Sequence, residues 1–188
     1  ERLLEDMEAV SKSNKPYFLG SVILKQQPTS SASKVGDIRT LIDGQQRLTT
    51  LNIFFKVLCL KSGKSAMFDR TFRLMTDDLA LLHSHNDIDK FTTVLGVTDL
   101  IDLQGEDNIT KCYQYFKKNL DIEAVDFQKI LANILFVGID LDPSEDEQQI
   151  FDTINSLGVT LTTAELLKNY FFNRDITLYE KYWRDLFE

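Results

Sequence analysis

The residues best equipped for chemistry stand at 43–50, Asp-Gly-Gln-Gln-Arg-Leu-Thr-Thr. Two glutamines, an arginine and two threonines follow an Asp-Gly pair, where one apolar run ends and another begins at Leu48. Ordinary helix chemistry accounts for some of them. Asp43 is of N-cap type, Gln46 falls where a capping box needs it, and Gly44 suits a tight turn. Capping does not account for Arg47, Thr49 and Thr50. A cation in the first helical turn opposes the macrodipole, and adjacent threonines are mediocre helix formers. All three gain a purpose if an anion sits at the helix start. Free backbone N–H groups and the dipole attract phosphate there, a guanidinium grips it with a planar fork of donors, and hydroxyls add more. From the residues alone an anion site and a plain cap both stand.

Other candidates are weaker. KSGKS at 61–65 resembles a phosphate loop, but that pattern needs glycine where Leu58 stands and a strand where this chain has a helix. His83-Ser84-His85 has no third ligand to complete a metal set, so the histidines are expected at the surface and no metal site is expected. Asp140 and Asp142 end a strand, yet Asp142 precedes Pro143 and reads as a turn residue. Cys59 and Cys112 lie apart on apolar helical stretches and read as reduced thiols of a cytoplasmic protein. In FDTINSLGVTLTTAELLKNYFF (151–172), Asn155 lies at a polar turn and Lys168 in the next helix. A packed helix hairpin explains both residues, and so does a second wall of an anion site.

The elements that must position these residues follow from hydrophobic period. Residues 1–10 read as a helix, 17–25 and 37–42 as an antiparallel strand pair joined by a flexible 28–36, and 46–61 as a strongly apolar helix. A basic loop is expected at 61–70 and a short strand at 71–75. Helices are expected at 87–95, 108–119 and 124–133, then a buried strand at 134–142. Ser144-x-x-Glu147 and Thr162-x-x-Glu165 are capping boxes opening two further helices, and a last helix covers about 176–188. The class is α+β. Residues 1–76 form an α/β part with a strand-turn-helix motif, and 77–188 form a mainly helical part with one returning strand.

Charge divides along the same line. The 188 residues carry a net charge of −8, but segment 11–76 holds 11 Lys/Arg against 3 Asp/Glu and nets +8. The acidic remainder argues against a broad duplex-binding face, which relies on many phosphate contacts. The basic third suits a compact anion such as a nucleotide, or simply solvated lysines. No apolar run approaches the roughly 20 residues of a membrane helix. The opening ERLLEDMEAV has no signal-peptide pattern, and the chain reads as a piece of a longer protein.

DGQQRLTTL (43–51), IFDTINSLGVTLTTAELLKNYFF (150–172) and the upstream YFLGSVIL (17–24) together resemble one family. It is the DGQQR-motif N-terminal domain of GmrSD-type modification-dependent restriction enzymes. The resemblance implies a ParB/sulfiredoxin-like fold, a small mixed sheet with the motif at a strand-to-helix junction, followed by a helical subdomain. It also implies binding and hydrolysis of a nucleoside triphosphate (GTP, ATP or CTP) with Mg²⁺, coupled to restriction of modified foreign DNA in bacterial antiviral defence. The motif falls on Asp43, Gly44, Gln45, Gln46 and Arg47. Asp43, Gln45 and Gln46 are then expected to handle the attacking water, with Gly44, Arg47, Thr49, Thr50, Asn155 and Lys168 around the nucleotide. DNA is expected as a partner through the full-length protein, and the oligomeric state is left open. Family members also carry a Tyr-Gln-Arg motif ahead of the first helix and a C-terminal HNH nuclease domain. Neither is in these residues. A DNA-reading module or an interaction scaffold, both without nucleotide chemistry, are the competing functions.

Overall fold

In a computed structural model, residues 2–13, 15–28, 38–83 and 87–146 are described. They form six helices and a three-stranded mixed sheet, an α+β fold. Two compact units interleave in sequence. One takes 1–19 with 45–135, the other 20–44 with the chain from 136 onward. The motif helix packs with the later helices.

The helical unit is organised by α2 (Gln45–Lys61). From Leu51 to Cys59 every residue of α2 is buried. A helix apolar on all faces must be enclosed on all faces. The enclosing elements are α3 (Ser65–Phe72), α4 (Ile88–Gly96), α5 (Asn108–Asn119) and α6 (Phe127–Asn133). Aromatic rings make the joints. Phe54 meets Phe116 of α5 edge-on at 5.4 Å, and Phe55 meets Phe72 of α3 at 5.2 Å and Phe127 of α6 at 5.1 Å. Such pairs contribute about 0.5–1.5 kcal/mol each beyond their buried area. α1 (Arg2–Ser13) packs on α6. There the Ser11 hydroxyl accepts from the Asp126 backbone N–H at 3.0 Å. Aspartates begin two of the helices. Asp107 accepts from Thr110 N–H at 2.9 Å, and Asp126 accepts from Lys129 N–H at 3.0 Å.

Two expectations are corrected here. The basic stretch 61–70 is a loop only over Ser62–Lys64, closed by Lys64 N–H donating to the Cys59 carbonyl at 2.8 Å. Helix α3 then begins at Ser65. Residues 71–75 are no strand: Thr71 and Phe72 complete α3, and Arg73 makes a single bridge with Leu79. Phe68 and Phe72, four residues apart, stack at 4.9 Å against the core. That helical spacing outweighs the β preference of Thr-Phe.

In the sheet unit β1 is central, flanked by β2 (Arg39–Asp43) and β3 (Ile134–Leu141), with β1 itself running Tyr17–Gln26. β1 and β2 are antiparallel as expected. β3 is a strand as expected but not a buried one, since Leu141 is its only buried residue. An edge position explains how an apolar run remains partly exposed. A polar row crosses all three strands. The Asp140 carboxylate of β3 accepts from Arg39 Nε and Nη2 of β2, both at 2.9 Å, and from Gln26 Nε2 of β1 at 3.2 Å. The guanidinium holds that carboxyl below the usual carboxylate range. Asp142 serves the following turn, accepting from Ser144 N–H at 3.0 Å and its hydroxyl at 2.8 Å. The connection 29–37, Glu147 of the first capping box, the whole of the second box and the three C-terminal helices lie outside the described residues.

Lys56 is the anomaly in the α2 surround. It is 4% exposed, and its ammonium lies 4.9 Å from the Phe68 ring centre. Burial pushes the amine below its ordinary range, against the raising influence of Asp69. The folded amine therefore releases its proton before a free lysine does, so stability rises with pH between the folded and the free value. Replacing a buried charge with an apolar side chain of similar volume is often stabilising. Lys56→Met is expected to be about 1 kcal/mol more stable than the parent at pH 7 in urea unfolding, after loss of the cation–π contact. The advantage should shrink above pH 10; a variant less stable at pH 7 contradicts this account.

Candidate functional site

β2 delivers the motif. Just before its end the pairing slips: Ile23 faces Asp43 while Leu24 faces Leu41. Ile42 is thus the extra residue of a bulge, a device that bends its strand and re-aims neighbouring side chains. Asp43 remains in the ladder, half-buried. Gly44 follows with φ of +101°, and a Cβ there would lie 2.6 Å from Val22 Cγ1. Backbone conformation and space both demand glycine. α2 begins at the next residue, so Gly44 occupies the cap position expected for Asp43. The ladder keeps Asp43 extended, and one positive-φ residue makes the turn.

The first turn of α2 carries the polar side chains. Gln45 and Gln46 are exposed, and Arg47 is half-buried, with its Nε fully enclosed. No acidic residue stands in this turn. The two threonines diverge. Thr50 turns its hydroxyl back onto the Gln46 carbonyl at 2.6 Å. Thr49 is 8% exposed, with its Oγ1 2.6 Å from His83 Nε2. One helical turn on, Asn52 donates to the Leu48 carbonyl at 2.8 Å. Asn155 and Lys168 lie outside the described residues.

His83 differs from the surface residue expected. It is half-buried, and its ring centre lies 4.5 Å from that of Phe91 on α4. No local pattern announces this, because its partner Thr49 is 34 residues away. The cysteines fit inert thiols: burial pushes both Cys59 and Cys112 up to about 11. A separate concavity of about 440 Å³ lies along α4 and α5, lined by Asp89, Lys90, Thr93, Gln104, Asp107 and Thr110. Its most enclosed carboxylate, Asp107, is already committed to capping α5 and lies 3.8 Å from Lys90 Nζ.

Fold and motif together define an α+β domain whose strand, glycine turn and helix start present two glutamines and an arginine. Residues 1–172 match the family described as the GmrSD restriction endonuclease, N-terminal domain, and the chain belongs to that family. It is thereby placed among the proteins of restriction and defence. A comparison with curated proteins finds no match. Among the described residues no helix is long and apolar enough to cross a membrane.

The Gly44 turn makes its own prediction. Gly44→Ala should cost about 1–3 kcal/mol in urea unfolding, from strain at positive φ and collision with Val22. Adding Val22→Ala should recover only the steric part. A fully stable single variant would show that the turn does not need glycine.

Proposed function

We propose that this chain is the nucleoside triphosphate-binding, and with Mg²⁺ hydrolysing, regulatory domain of a bacterial restriction protein that acts on modified DNA. One observation carries the reading. The only exposed side chains of the otherwise enclosed α2 near its start are Gln45 and Gln46, beside Arg47 and with no acid in the turn. Backbone N–H groups of that turn would hold phosphate oxygens, as helix N-termini do. Arg47 would take two oxygens through its planar fork. Gln45 or Gln46 would orient the attacking water by hydrogen bonding, a task that needs no strong base. Asp43, two residues earlier in the chain, would serve Mg²⁺ or its bound water. Thr49 and Thr50 were expected as further donors. Their hydroxyls are engaged with His83 and the Gln46 carbonyl, so their support is to the helix more than to the phosphate. Asn155 and Lys168, the other residues expected beside the nucleotide, lie outside the described residues.

The test is calorimetric titration with GTP, ATP and CTP in the presence of Mg²⁺. Arg47→Ala should lose about 2 kcal/mol or more of binding energy, the scale of hydrogen bonds to a charged partner, while its thermal unfolding without ligand stays near that of the parent. Equal affinity in the two proteins defeats the assignment. Binding of DNA that weakens steeply with salt and ignores nucleotide would instead favour a DNA-reading module.

A further inference from the structure

The two threonines of the motif helix are not equivalent, and the difference points to His83. Thr50 does what a helical threonine does by default, donating its hydroxyl to the carbonyl four residues back. Thr49 does not. Among the described residues its hydroxyl has one hydrogen-bond partner, the Nε2 of His83 at 2.6 Å. A buried hydroxyl hydrogen needs an acceptor, and this imidazole nitrogen is the acceptor within reach. Accepting there leaves the ring proton on Nδ1, because a neutral imidazole has one donor and one acceptor nitrogen. The ring also meets Phe91, centre to centre at 4.5 Å. His83 thus joins α2, one turn below Gln45, to α4 through a bond with defined direction. The partners of the ring among the described residues, Thr49 and Phe91, carry no charge.

We propose that His83 is a positioning residue for the helix start, holding Thr49 through Nε2 as the Nδ1–H tautomer and thereby setting the first turn that presents Gln45, Gln46 and Arg47. The proposal rests on the nucleotide reading for its link to binding, and on the hydrogen bond alone for its tautomer.

Two measurements on the chain decide it. Long-range proton–nitrogen correlation spectra at pH 8 should find His83 as the Nδ1–H tautomer, reverting toward Nε2–H in Thr49→Val. A parent protein with Nε2–H overturns the proposal outright. Calorimetry with GTP, ATP and CTP plus Mg²⁺ then reads the link. His83→Phe keeps a ring against Phe91 but removes the acceptor, and should bind about tenfold more weakly, the value of roughly one hydrogen bond. His83→Gln can place its carbonyl oxygen where Nε2 stood and should restore most of that loss. Unchanged affinity in His83→Phe, or equal losses in both variants, overturns the positioning role. If the parent binds none of the three nucleotides, the proposed function falls and takes the link with it, while the tautomer still judges the hydrogen bond.

Discussion

A helix enclosed along its length can offer solvent only its ends. α2 is that helix: α3, α4, α5 and α6 pack on it, and from Leu51 to Cys59 it has no exposed face. Its burial organises the helical unit. Its first turn is where Gln45 and Gln46 reach solvent, and it is there that chemistry on this element is proposed. The aromatic joints at Phe54 and Phe55 hold the helix axis in place, so the first turn is presented by a rigid support rather than by a loop.

The turn into that helix is set by sterics as much as by hydrogen bonding. The bulge at Ile42 and the positive φ of Gly44 act in succession, one bending the strand and the other reversing the backbone. Val22 closes off the space a side chain would need at Gly44. Asp43 is thereby kept as a strand residue, and the helix begins with two neutral amides and a cation. That polarity is unusual for a first turn, where acids are favoured, and it is the electrostatic reason to look for an anion there.

Much of this was legible in the residues. The antiparallel pair, the apolar helix after Asp-Gly and the helices over α4 and α5 follow from period alone, because their apolar residues recur at the spacing of the element that buries them. The errors are instructive. Basic residues at 61–70 suggested a loop, yet Phe68 and Phe72 belong to the aromatic core and carry Ser65–Phe72 with them as a helix. The apolar run at 134–142 suggested burial, which depends on neighbours that a single strand does not reveal. The cap moved from Asp43 to Gly44 because strand pairing, a long-range contact, kept Asp43 extended. Lys56 sits in the apolar stripe as any lysine on a helix would, and nothing local marks it as enclosed. The Thr49–His83 bond was invisible for the same reason, being made between residues 34 apart.

Membership of the restriction family and the geometry of the first turn meet in one proposal, that the start of α2 receives phosphate. The most direct measurement is a backbone amide titration by NMR with non-hydrolysable GTP, ATP and CTP analogues and Mg²⁺. The account predicts that the largest shifts fall on the amides of Gln45, Gln46 and Arg47. Saturable binding that leaves those three amides unmoved would contradict it.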